Sequence, residues 1–256
     1  MNNVYKILTL IATSPHEKYF ERFSHKILPN ICSVQNVDVI INIYSGNVKM
    51  NAPCIIRNTY MRTHKPLVWK KILTPLVVRP YDYIWLLDSD VHVNQITIIQ
   101  VVLFMEHNNI LISQPRITPH KKRGSDHNFL NTRGETDVCN IGTNIVEVMT
   151  PFFKRSAWSI VFTHVLSRFS DNALKRSVCG IDVLWCPFLQ YFTRQNNAVC
   201  AIPTSKLVFP VIHMDGKSIE SSVMHGMRIE RSNGPSHYMQ TKIPSRKINE
   251  TCIYTR

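Results

Sequence analysis

At 256 residues, with 44% apolar and 18% charged side chains, the chain can bury a full core, which excludes a disordered or fibrous protein. Its formal charge of +13 asks for an anionic partner, and nucleic acid, a membrane surface and a nucleotide diphosphate all qualify. The basic residues are dispersed, however, with only small clusters at Lys70-Lys71 and Lys121-Lys122-Arg123, and no nucleic-acid module accompanies them, so no nucleic-acid partner is expected.

Residues Val4 to Ala12 read as a first core strand, since the amino terminus lacks a basic start or a small-residue cleavage site. No apolar stretch approaches the length of a bilayer span. Thr13-Ser14-Pro15 then leads to a helix from about Glu17 to Leu28. Val37 to Tyr44 is a second strand, closed by Ser45-Gly46-Asn47, and Lys65 to Val78 carries a helical stripe of Trp69, Ile72 and Leu73. The run from Tyr81, after Arg79-Pro80, to Asp90 reads as a buried strand ending in two aspartates, followed by a helix near Gln95 to Met105 and a short strand at Ile110 to Ser113. This alternation predicts an α/β fold with a substantially parallel sheet.

Arg116 to Asn140 is a long polar connection, and such segments inside domains are often functional. It is expected to act as a mobile lid or to be a surface insertion. Order returns at Ile145 to Met149, where Val146-Glu147-Val148 has strand character. Lys154 to Phe169 shows a helical stripe, and Gly180-Ile181-Asp182 opens a helix to Phe192. Val199 to Ile202 and Leu207 to Ile212 are late strands, the second ending at His213. The expected division is a single catalytic domain over residues 1–215 and a polar basic tail over 216–256 that wraps it or is partly disordered. Seven cysteines, odd in number and without a CxxC pair, fit reduced thiols in a soluble, cytoplasmic protein.

The chemistry concentrates at Asp88-Ser89-Asp90. In an extended chain residues i and i+2 project to one side, so both carboxylates emerge at the carboxyl edge of the sheet, where open α/β sheets take their ligands. Two hard oxygen ligands suit Mn²⁺ or Mg²⁺ on a diphosphate, but Asp and Ser also simply end strands in turns.

Taken in order, Val37-Asp38-Val39-Ile40, Tyr44-Ser45-Gly46, Lys65 through Lys71, Tyr81 through Asp90, Ile112-Ser113-Gln114-Pro115, Val146 through Pro151, Ser156-Ala157-Trp158, Gly180-Ile181-Asp182 and Val211-Ile212-His213 form an ordered set. It resembles the glycosyltransferase-A superfamily, and most closely domain-of-unknown-function family 707. The resemblance implies a Rossmann-type central sheet flanked by helices and a hexosyl- or pentosyltransferase. The implied donor is a nucleotide sugar, UDP-linked more than GDP-linked, and the implied acceptor a glycan or other hydroxyl. It places donor contacts at Ala12, Thr13, Ser14, Tyr44, Ser45, Lys71, Asp88 and Ser89, and a metal shell of Asp90, Asp88 and His213. With a histidine in that shell, Mn²⁺ is preferred over Mg²⁺. Asp182 is implied as the catalytic base of an inverting reaction, with Glu147 as the competing carboxylate. The pattern departs from the family at Ser45 and Thr118, where Asp is usual, and at Cys179, where Trp is usual. A non-catalytic nucleotide-sugar-binding protein stays open on those departures. A haloacid-dehalogenase-like phosphotransferase would use Asp88 as nucleophile, but Val91-His92 lacks the Thr or Val it wants two residues after Asp90.

Overall fold

Along Ile7–Thr13 (β1) the side chains alternate between two apolar layers, Ile7 and Ile11 entering one and Leu8 and Leu10 the other. Burial on both faces is what a parallel strand covered by helices requires, and it explains the near-continuous aliphatic runs. The computed structural model describes residues 5–119, 140–142, 146–175, 181–195, 198–203, 205, 207–214 and 252–253. The lid segment lies almost wholly outside them, as do Cys179 and all of the tail but Cys252-Ile253.

Residues 20–32 (α1) pass from β1 to Val37–Ile43 (β2), and Ile55–Thr59 (β3) follows. Lys65–Ile72 (α2) and Pro75–Val78 (α3) then lead into Tyr83–Asp88 (β4). The continuous Lys65-to-Val78 helix expected from its stripe is broken here. Thr74 is extended with ψ 158°, the conformation that a following proline imposes, and Pro75 has no N–H to continue the ladder. Within α1 the Leu28 N–H reaches back five residues to the Phe23 carbonyl, a widened turn just ahead of Pro29.

β1 pairs in parallel with β2 on one side and with β4 on the other, in a register that sets Ala12 between Asn42 and Asp88. Tyr83, Trp85 and Leu87 pack with α1 and with Gln95–His107 (α4). Ile84 and Leu86 pack on the opposite face, with α2, Arg155–His164 (α5) and Asp182–Thr193 (α7). Asp171–Leu174 (α6) lies between the last two in sequence. Trp85 is fully buried, stacks on Phe152 at 4.6 Å and donates to the Thr150 hydroxyl at 3.1 Å. Truncating an aromatic so placed costs roughly 3–5 kcal/mol, so the strand that carries the aspartates is firmly held.

The remaining strands are short: Val91–His92 (β5), Ile112–Ser113 (β6), Ile117–Pro119 (β7), Asn140–Gly142 (β8), Phe152–Lys154 (β9), Cys200–Ile202 (β10), Val211–His213 (β11) and Cys252–Ile253 (β12). The large sheet has the order β12-β8-β10-β6-β9-β4-β1-β2-β3, and a second sheet has the order β5-β11-β7. β9 runs antiparallel between β4 and β6, so the sheet is mixed. The last expected strand shrinks to Val211–His213, immediately after Pro210. Glu147 stands just before a turn at residues 148–149 and not in a strand. No described helix is long and apolar enough to cross a membrane.

The thiols also depart from expectation. Cys32 and Cys54 form one disulfide and Cys186 and Cys200 another, with Cα atoms 5.2 and 5.9 Å apart. Each joins elements that only the tertiary fold brings together, across 22 and 14 positions, so no short spacing motif announces them. A loop of this size removes enough freedom from the unfolded chain to stabilise a fold by about 2–4 kcal/mol. Cys32→Ser should therefore lower the unfolding free energy by roughly that amount in chemical denaturation. Thiol titration of the denatured, unreduced parent should find at most three of its seven cysteines free. Seven reactive thiols and an unchanged denaturation midpoint would mean that the bridges do not form.

Candidate active site

The carboxyl ends of β1, β2 and β4 lie side by side, and the site is built from what leaves them. Asp88 ends β4 and Asp90 follows Ser89. Antiparallel pairing of β5 with β11 sets His213 opposite Val91, and the Met214 N–H closes on the Asp90 carbonyl at 2.9 Å. The His213 Nε2 thereby lies 3.0 Å from Asp90 Oδ2, although 123 residues separate them. The second sheet thus brings this imidazole to this carboxylate.

Asp88 meets a different partner. Lys65, the first residue of α2, places its ammonium 2.7 and 2.5 Å from the two oxygens of Asp88. The helix start is fixed through Asn42, whose side-chain oxygen accepts from the Met61 N–H at 3.0 Å and from the Thr59 hydroxyl at 2.9 Å. Its amide nitrogen donates to the Met61 carbonyl at 3.2 Å. Burial pushes the Asp88 carboxyl up to about 6, with Lys65 opposing and Asp90 assisting. Burial also acts upward on Asp90, but the His213 hydrogen bond and the charges of His213 and Lys65 outweigh it and hold the carboxyl below its usual range.

Ser89 is buried and donates to Glu17 Oε2 at 2.5 Å, and the same oxygen accepts from the Thr13 hydroxyl at 3.2 Å. The other oxygen of Glu17 accepts from the Tyr44 hydroxyl. One carboxylate therefore ties together three of the expected donor residues. Burial, then the Glu17 bond, drives the Tyr44 phenol well above its ordinary range, so Tyr44 stays a hydrogen-bond donor. The buried Ser14 accepts from the His16 N–H at 3.2 Å and shapes the turn after β1. Ser45 and Ala12 are half-buried beside it. Gly46 has φ +80°, and a Cβ there would lie 2.6 Å from the Pro15 ring, so only glycine lets the loops after β1 and β2 meet so closely.

Glu147 is buried, and its N–H donates to the Gln114 side-chain oxygen. Burial raises its carboxyl, with Lys65 opposing. The Trp185 indole donates to the Val146 carbonyl at 3.1 Å, which docks the first turns of α7 on the segment that carries Glu147. Asp182 opens that helix one turn earlier, so both candidate bases belong to one region of the fold. Lys71 does not join them. Its ammonium pairs with Asp171 at 2.6 Å, because six residues past Lys65 it points about 240° around the helix. Lys65 and Glu17 are the residues that the sequence reading missed. The available signals were His64-Lys65-Pro66 as a helix start and Ser14-Pro15-His16-Glu17 as a capping pattern.

Neighbouring ligands around an octahedral ion with bonds of about 2.0–2.1 Å stand about 3 Å apart, which matches the spacing of Asp90 Oδ2 and His213 Nε2. Asp88 has both oxygens on Lys65, and among the described residues no group of three or more metal-binding side chains converges. The fit is therefore to a two-residue shell, with phosphate oxygens and water completing it, a common arrangement for such ions.

The mixed central sheet flanked by helices matches the fold of solved glycosyltransferases. Residues 54–171 match the family model described as Protein of unknown function (DUF707). Among solved structures, S. aureus TarS superposes with a TM-score of 0.53 at 10% identity, covering 94% of this chain. This chain spans 46% of that one, less than half its length. TarS 1–349 in complex with UDP-GlcNAc gives 0.53 at 11% identity, over 94% of this chain and 76% of that one. A mannosyltransferase, PcManGT from Pyrobaculum calidifontis, in complex with GDP-Man and Mn²⁺, gives 0.54 at 12% identity, over 95% and 67%. No curated protein matches the sequence. At these identities the likeness establishes the fold.

Proposed function

We propose that the protein is a glycosyltransferase that takes a nucleotide sugar, UDP-linked more than GDP-linked, and moves its hexose or pentose onto a glycan or other hydroxyl with inversion. The observation that carries this reading is the Asp90–His213 pair at the carboxyl edge, 3.0 Å apart and beside the Lys65–Asp88 pair. The shared fold supports it, since its neighbours were solved with UDP-GlcNAc and with GDP-Man and Mn²⁺.

In this reading Asp90 and His213 would hold Mn²⁺, or Mg²⁺, which supplies Lewis-acid stabilisation of the departing diphosphate. Tyr44, Ser89 and Glu17 shape the nucleoside pocket with Ala12, Thr13, Ser14 and Ser45. Lys65 and Asp88 set the local charge. Asp182 takes the proton of the acceptor hydroxyl as that oxygen bonds to the anomeric carbon and the bond to phosphate breaks. Glu147 orients acceptor hydroxyls or replaces Asp182 as base. The two disulfides favour an oxidising site of action over the cytoplasm expected from cysteine spacing.

Titration calorimetry with UDP and GDP, with and without Mn²⁺, tests the proposal. Mn²⁺-dependent binding of UDP is expected near pH 7.5. Burial holds the Asp88 carboxyl at about 6, so protonation below that value removes a negative charge beside the ion, and affinity should weaken as pH drops through it and return when it rises. No nucleotide binding at pH 7.5 with Mn²⁺ present would sink the reading. Binding without transfer or donor hydrolysis across a broad acceptor screen would favour a non-catalytic binder.

A further inference from the structure

We propose that Lys65 is a resident counter-cation of the aspartate edge, drawn off Asp88 by the donor's diphosphate, so that divalent ion and donor reinforce each other's binding. The inference rests on the transfer reading and assigns that site a device of its own. Lys65 engages both oxygens of Asp88, at 2.5 and 2.7 Å. Its charge also acts on the Asp90 and Glu147 carboxyls, so one ammonium serves the acidic edge. An ion entering the donor-free site meets that positive charge and an Asp88 already satisfied.

The placement of Lys65 is built into the fold. Asn42 pins Met61 just past the end of β3, and Lys65-Pro66 opens α2 a few residues on, so the backbone there is held at the strand edge. The side chain is about a quarter exposed and has a four-carbon stem with several rotatable bonds, so its ammonium can turn without moving the backbone. A nucleoside diphosphate delivered to the edge carries several negative charges and offers the ammonium a stronger partner than one carboxylate. As Lys65 turns to phosphate, Asp88 is released to face the ion directly or through water. Any such coupling is reciprocal, so the factor by which UDP tightens Mn²⁺ equals the factor by which Mn²⁺ tightens UDP.

The experiment measures Mn²⁺ binding by electron paramagnetic resonance and UDP binding by calorimetry, for the parent, Lys65→Met and Lys65→Arg. Lys65→Met should bind Mn²⁺ alone more tightly and UDP at saturating Mn²⁺ more weakly. Each change should be at least about fivefold, the lower end of ordinary coupling. Lys65→Arg keeps the charge and should stay near the parent in both measurements. A merely structural lysine would move both affinities in the same direction. Unchanged or weaker Mn²⁺ binding by free, folded Lys65→Met overturns the inference while the parent's UDP binding keeps the transfer reading standing. If that variant does not fold, Lys65→Gln takes its place with the same expectation. A parent that binds no UDP with Mn²⁺ overturns both.

Discussion

Asp182→Asn should keep the parental affinity for UDP with Mn²⁺ and lose about 10²–10⁴-fold of its transfer rate, the range ordinarily supplied by a general base. The amide keeps the side chain's shape and hydrogen bonding at the start of α7 but cannot take a proton as the carboxylate does. Asp182 is half-buried at a helix start docked on the Val146 segment, so the exchange should leave the fold intact. Glu147→Gln is the matched control. Glu147 is the more deeply buried of the two, and burial raises its carboxyl toward the range in which a base works near neutrality. Parental transfer by Asp182→Asn with an inactive Glu147→Gln would move the base to Glu147. Full activity in both, with the donor's anomeric configuration kept in the product, would remove the inverting mechanism.

Asp90→Asn should abolish Mn²⁺-dependent UDP binding while the thermal melt changes little. The substitution removes the charge that faces His213 and leaves an amide, a poor ligand for a hard cation. Asp88→Asn should weaken binding less, because Asp88 already shares its charge with Lys65. Calorimetry at a fixed Mn²⁺ concentration separates the two. Equal Mn²⁺-dependent affinity in the parent and Asp90→Asn would take Asp90 out of the shell.

The readable parts of the fold are those in which one local pattern decides the outcome. The runs at Ile7–Thr13, Val37–Ile43 and Tyr83–Asp88 are apolar on both faces, so they read as buried parallel strands and their ends locate the site. The Trp158 and Val161 stripe likewise became a buried helix face. Phe152–Lys154 escaped because three residues carry too little periodicity, yet they sit in the middle of the sheet. Ile55–Thr59 escaped as a half-exposed edge strand. Lys71 was read as the donor lysine and Lys65 was not, because only the phase of the helix relative to β4 separates them. Glu17 escaped for the same kind of reason: its three hydroxyl partners lie 4, 27 and 72 positions away. The two disulfides are likewise products of tertiary contact, invisible to spacing.

The pairing of β5 with β11 also has a bearing on the order in which the molecule matures. Asp88 and Asp90 leave the ribosome on a strand whose parallel neighbour β1, and β2 beyond it, are already made. Their imidazole partner arrives 123 residues later. Contacts of such separation form late, because the intervening chain must close before they add any stability. The parallel part of the sheet, β1 to β4, can thus assemble while the nascent chain still has a half-made cation site. Capacity to hold a charged donor appears only after the strands that carry the aspartates are in place.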